Sequence, residues 1–120
     1  MTSNDWLDRL LNFPRDHKEG SKSPHQLITQ LVTETDPPRP GRAELTRLVT
    51  ERVRDSPELI ELWQRYVEDL RRSPAPYMKG LVVGLWDRGE RDVVEHDNEV
   101  DACADLAVRE IEFLMRWNTD

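Results

Sequence analysis

The stretch Tyr77-Met78-Lys79-Gly80-Leu81-Val82-Val83-Gly84-Leu85-Trp86, with Asp87-Arg88-Gly89-Glu90 and Arg91-Asp92-Val93-Val94-Glu95 behind it, decides the fold class of this chain. Read as a helix, Tyr77 to Trp86 follows a Ser73-Pro74 start and ends at Gly89, a residue suited to the left-handed C′ position. Read as strands, Leu81-Val82-Val83 and Arg91 to Glu95 flank the turn Asp87-Arg88-Gly89-Glu90. The valines and the glycines at 80 and 84 favour strand or bend. A lone two-stranded hairpin is only marginally stable in water, which tips the expectation to helix. The chain is accordingly expected to be all-α, a compact bundle of five to six short helices. The alternative is α+β, with one small hairpin at about 80–95.

Upstream, a heptad occurs almost twice. Ile28-Thr29-Gln30-Leu31-Val32-Thr33-Glu34 returns as Leu45-Thr46-Arg47-Leu48-Val49-Thr50-Glu51. Both copies place apolar residues at positions 1, 4 and 5, which is one stripe of an α-helix. Asp36-Pro37-Pro38-Arg39-Pro40-Gly41 lies between them, and no helix crosses such a stretch. The pair reads as two amphipathic helices folded back through a stiff turn. Ser23-Pro24-His25-Gln26 opens the first of these, with Ser as cap, Pro at the first helical position and Gln placed to bond back to the cap. The second is expected at about 42–54, with Leu45, Leu48, Val49 and Val53 inward.

Before this pair, Ser3 can cap a first helix with Trp6, Leu7, Leu10 and Leu11 on its apolar face. Phe13-Pro14 is expected to close it, leaving Arg15 to Lys22 as a loop. After it, Ser56-Pro57-Glu58 starts a fourth helix whose apolar face is Leu59, Ile60, Trp63, Tyr66, Val67 and Leu70. The last helix is capped by Asn98 and carries Val100, Ala104, Ala107, Val108, Ile111, Leu114 and Met115 at helical spacing.

The 120 residues suit one domain, expected as a single helical unit over 1–120 with loose ends at about 1–3 and 117–120. Apolar residues make up 37% and charged residues 34%, so the core is modest and the surface well solvated. The formal net charge of -7 is uneven: nine Lys/Arg against ten Asp/Glu in residues 1–60, and eight against fourteen in 61–120. That balance disfavours polyanionic nucleic acid and anionic membrane and suits a basic partner. The N-terminus has neither a basic start nor an apolar run of signal length, and Gly80 to Trp86 is too short to cross a bilayer. The expected location is cytoplasmic, with no membrane partner.

Candidate chemistry is sparse. Glu95-His96-Asp97-Asn98-Glu99 with Asp101 could hold a cation or share a proton, which leaves a small metal-dependent hydrolase around 95–101 as a remote alternative. It lacks the glycine of a calcium loop, and only His17 and His25 remain as further imidazoles. Capping and dipole complementation account for the same residues. The one cysteine, Cys103, has acidic neighbours that raise a thiol pKa, so it reads as a small half-buried residue. No nucleophile elbow or phosphate-cradling loop is present. No catalytic residue, cofactor or metal is expected, and the chain is read as not an enzyme.

Two binding readings remain. Arg39, Arg42, Arg47, Arg52 and Arg54 lie on and around the third helix, which could serve a DNA-binding regulator using residues 42–54. Trp86 and Trp117 could be exposed interface anchors. Residues 28–60, with their two Leu-Val-Thr helices, resemble the first two helices of colicin-type DNase immunity proteins, small acidic helical bundles that neutralise a basic nuclease. That resemblance spans about a quarter of the chain. The family's aspartate-tyrosine-tyrosine motif is absent, and nothing after Ser73 matches. The favoured expectation is an acidic protein-binding module, of immunity, antitoxin or inhibitor type. It would dock a basic partner through Asp97, Glu99, Asp101, Asp105 and Glu112, with Trp86 and Trp117 as anchors. Nucleic acid is the less favoured partner, and a homodimer is compatible with this reading.

Overall fold

The computed structural model describes residues 5–19, 23–35, 41–68, 70 and 74–117. Five helices run α1 (Asp5–Glu19), α2 (Pro24–Thr35), α3 (Arg42–Asp55), α4 (Glu58–Glu68) and α5 (Glu99–Trp117). Between α4 and α5 stand three strands, β1 (Ala75–Lys79), β2 (Val82–Trp86) and β3 (Glu90–Glu95), which form an antiparallel sheet in the order β1-β2-β3. The chain is mostly helical, as expected. The all-α expectation is corrected at residues 75–95, where the α+β alternative fits.

The correction has a local and a tertiary cause. Gly80 sits at φ 62° in the two-residue turn between Lys79 and Val82, the position a type II′ hairpin reserves for glycine. Gly89 at φ 137° and Arg88 at φ 62° form the next turn, so Gly89 bends a hairpin rather than stopping a helix. The argument against a lone hairpin does not apply, because β1 adds a third strand and the sheet packs on α4 and α5. Pro76 is tolerated because β1 is an edge strand. Tyr77 lies across from Gly84, and its ring occupies the space a side chain there would need.

The first helix also departs from expectation. Pro14 does not end α1 but lies inside it, and residues 15–19 continue the helix. A proline within a helix removes one ladder bond and displaces the preceding turn. Here tertiary contacts hold that turn: Phe13 and Pro14 are buried, and the Leu11 carbonyl accepts a hydrogen bond from Trp63 Nε1 at 3.0 Å. The expected Ser3 cap and the turn at 36–40 lie outside the described residues.

Other start signals work as read. Ser23 Oγ accepts from the Gln26 amide at 3.2 Å while Gln26 Oε1 accepts from the Ser23 amide at 2.8 Å, a reciprocal cap. Asn98 Oδ1 accepts from the Asp101 amide at 2.9 Å and caps α5. The helices of the doubled heptad, however, are not a mutually packed pair. Helix α2 packs on α1 and α5, and α3 packs chiefly on α5.

Helix α5 is the centre of the molecule, in contact with α2, α3, α4, β1 and β2. Ala102, Cys103, Ala104, Leu106, Ala107 and Val108 are all fully buried, on every side of the helix rather than on one stripe. A helix that is apolar all round is an interior helix. Residues of all five helices and Val83 of β2 share one hydrophobic cluster. At its heart Phe13, Trp63 and Tyr66 make three edge-to-face contacts with centroids 5.2–5.5 Å apart. Among the described residues no helix is long and apolar enough to cross a membrane.

Candidate functional site

An interior helix that carries charge must partner it inside. Helix α5 carries Asp105, Arg109 and Glu110 on buried turns. Glu110 is fully buried and accepts a hydrogen bond from the Tyr66 hydroxyl of α4. Arg109 lies one helical turn beyond Asp105 and grips its carboxylate in a two-point contact, Nε to Oδ1 at 2.9 Å and Nη2 to Oδ2 at 3.2 Å. The same Nη2 donates to the Asp92 carbonyl at 2.7 Å.

That last bond explains an irregularity in β3. The register slips between Val83 and Leu85, and Asp92 takes φ 52°, so the strand carries a bulge. The bulge is where β3 presents a carbonyl to Arg109. His96, at the exit of β3, places Nε2 2.8 Å from Asp105 Oδ2. Burial alone would raise the Asp105 carboxyl. The bonds from Arg109 and His96 outweigh it and hold the group below its ordinary value. Arg42 of α3 reaches the cluster from outside, with Nε 3.5 Å from Glu112 and Nη2 3.8 Å from Asp105. The sheet is thus pinned to α5 by charge as well as by apolar contact.

Above this cluster a groove of about 640 Å³ separates the sheet from the C-terminal half of α5. Its walls are Pro74, Pro76, Leu85, Val93, Val94 and Phe113, with Arg42, Asp92, Arg109 and Glu112 as the polar members. A second, shallower groove of about 590 Å³ lies between α4 and the start of α5. Glu58, Glu61 and Glu68 project into it from α4 and Glu99 from α5, with Arg65 as the only cation on its lining. The spacing 58, 61, 65, 68 is the solvent stripe of α4, opposite Leu59, Trp63, Tyr66 and Val67, which are buried.

The residues expected to form one acidic binding face are divided between these regions. Asp97 and Glu99 are exposed and Asp101 is half-buried at the α5 N-terminus, where Asp101 also takes part in the cap. Asp105 instead faces Arg109 and His96 inside the molecule, and Glu112 pairs with the exposed Arg42 at its surface. Trp86 is 53% exposed at the end of β2, on the sheet face opposite Val83 and Leu85. Trp117 ends α5, and its side chain lies outside the described residues. Cys103 is fully buried rather than half-buried, and burial pushes its thiol up to about 12.

The sequence reading missed Arg109 and His96 as partners of Asp105, and the glutamates of α4 as partners of Glu99. A signal for the first existed: Asp105 and Arg109 are four residues apart on a helix whose other positions from 102 to 111 are nearly all apolar.

Around residues 95–101, His96 turns to Asp105. Among the described residues no three His, Cys, Asp or Glu side chains gather closely enough to hold a metal ion. Three of the four arginines of α3 are engaged too: Arg47 pairs with Glu44 and Glu51, Arg52 with Asp8, and Arg42 as above, while Arg54 is exposed. Arg39 lies outside the described residues.

No protein-family model, no curated protein and no solved structure matches this chain.

Proposed function

We propose that this chain is a non-enzymatic protein-binding module that docks a basic partner across the groove between α4 and the start of α5. The observation that supports this reading is the convergence of Glu58 and Glu68 with Glu99, from two elements, on one shallow surface whose single cation, Arg65, is already paired with Glu61. Asp97 and Asp101 extend the same end of α5. Carboxylates so placed raise the local concentration of a cationic partner and penalise an anionic one. The net charge of -7 works in the same direction over longer range. An immunity, antitoxin or inhibitor role is the narrower form of this reading. The DNA-binding alternative draws less support, since Arg42, Arg47 and Arg52 of α3 already sit in ion pairs with the chain's own carboxylates.

The test is affinity capture from the native host at low and high salt, with the wild type and with Glu58, Glu61, Glu68 and Glu99 all changed to Lys. A basic protein held by the wild type at low salt, released by high salt and ignored by the charge-reversed variant is the expected result. Capture indifferent to both salt and charge reversal would sink the proposal. A low-salt gel shift on random duplex DNA would instead move the assignment to α3.

A further inference from the structure

We infer that the bulge at Asp92 is a one-residue register switch, in which β3 exchanges between the bulged pairing and a regular one with residues 93–96 advanced by one position along β2. This does not rest on the acidic groove. Two registers meet in β3. Near the turn Trp86 faces Glu90 and Leu85 faces Arg91, whereas further along Val83 faces Val94 and Val82 faces Glu95. Gly84 is left opposite both Asp92 and Val93, and Asp92 holds the extra residue at φ 52°. Continuing the turn-side register sets Asp92 opposite Gly84, Val93 opposite Val83 and Val94 opposite Val82.

A slip of one residue normally turns a strand's apolar side chains to the wrong face. Here it exchanges one valine for another, because Val93 takes the place of Val94 across from the fully buried Val83. Glu95 passes beyond the end of β2, which starts at Val82. Strand β3 is an edge strand, so only one ladder has to break and re-form. The advance also relieves Asp92 of a left-handed conformation that crowds its Cβ against the following carbonyl. The residue stored in the bulge passes into the connection to α5, so no other element has to move.

Polar contacts hold the bulged register in place. Arg109 Nη2 donates to the Asp92 carbonyl at 2.7 Å while Nε grips Asp105. His96 is tied twice, its amide donating to the Leu81 carbonyl at 2.8 Å and its Nε2 lying 2.8 Å from Asp105 Oδ2. Advancing β3 takes Asp92 and His96 out of these bonds but leaves Arg109 and Asp105 bonded to each other. The Arg109–Asp105 pair is therefore a latch: engaged, it selects the bulge, and disengaged, it lets β3 advance. Because the slack is delivered at Asp97 and Asn98, the latch links the sheet to the start of α5.

Cysteine pairs read the register, since cross-strand side chains meet only when directly opposed on one face. Val82→Cys with Glu95→Cys reports the bulged register. Val82→Cys with Val94→Cys reports the advanced one, because those residues lie on opposite faces of the bulged sheet. The native thiol, Cys103, is fully buried. On mild oxidation the second pair should close at least about tenfold more slowly than the first. Arg109→Gln should speed the second pair by about tenfold and slow the first. Asp92→Gly makes the left-handed conformation free of strain and should slow the second pair by about fivefold. It lies on the exposed strand, so the test holds even if Arg109→Gln fails to fold. The inference is overturned if the second pair never closes, if its rate ignores Asp92→Gly, or if Arg109→Gln speeds both pairs alike, the mark of unfolding rather than slipping.

Discussion

Around Trp63, helices α1, α4 and α5 meet through an aromatic triangle, a buried indole-to-carbonyl bond and a single carboxyl–phenol pair. Around Arg109, the residue next to Glu110 on α5, the sheet meets the same helix through a guanidinium, two carboxylates, an imidazole and a backbone carbonyl at a bulge. The first region is held by area removed from water, which is non-directional and tolerant of small adjustments. The second is held by directional, charge-assisted bonds, which fix one register and one bulge but leave open space beside them. The difference teaches where binding can occur: the apolar region is filled, while the polar seam borders a groove.

Three substitutions bear on that contrast. The largest effect is expected for Trp63→Ala, which deletes the centre of the aromatic triangle and the bond to Leu11. A loss of about 3–5 kcal/mol in urea denaturation is expected, and a loss near zero would show that the helical region is not held by burial.

Asp105→Asn comes next, at about 1–3 kcal/mol near neutral pH, because it weakens the bonds of Arg109 and His96 together. Its pH dependence follows from sign. The folded Asp105 carboxyl lies below its unfolded value, so its stabilisation is complete above the unfolded value and fades as pH falls through the folded one. Acid titration of stability should therefore show a component in the wild type, below the ordinary carboxylate range, that Asp105→Asn lacks. Identical acid curves for the two proteins would break the assignment of a charged seam.

The smallest effect is expected for Gly84→Ala. The new methyl would stand 2.6–2.9 Å from atoms of the Tyr77 ring, which must lift away. A cost of about 1 kcal/mol is expected, with the Tyr77 ring resonances moving and those of Phe13 and Trp63 unchanged. Movement of the Phe13 and Trp63 signals would show that the two regions are coupled after all.

How much of this was legible depends on the range of the forces. The reciprocal Ser23–Gln26 cap, the Asn98 cap and the stripes of α3 and α4 are local, and residue order alone located them. The hairpin at about 80–95 takes second place in the sequence because its stability depends on a third strand at Ala75–Lys79, which a Pro-Ala-Pro stretch conceals. Pro14 misled for the same kind of reason: proline's cost is local, and the contacts that offset it come from Trp63, far along the chain. The acidic face shows the limit most plainly. Counting charge found the excess in the C-terminal half, yet it could not tell Glu99, which faces solvent beside α4, from Asp105, which faces Arg109.

By itself, then, the sequence determined the caps at Ser23 and Asn98, four amphipathic stripes, the buried positions of Trp6 and Trp63 and the sign of the surface charge. Each follows from residue spacing within a few turns, where backbone geometry dictates which side chains share a face. Only the tertiary structure decided that residues 75–95 form a sheet, that the middle turns of α5 from Ala102 to Ile111 are enclosed, and that Asp105, Arg109, Glu110 and Glu112 find their partners among Arg42, Tyr66, Asp92, His96 and one another. Those outcomes rest on contacts between distant segments, whose energy exists only once the chain has closed around the central helix.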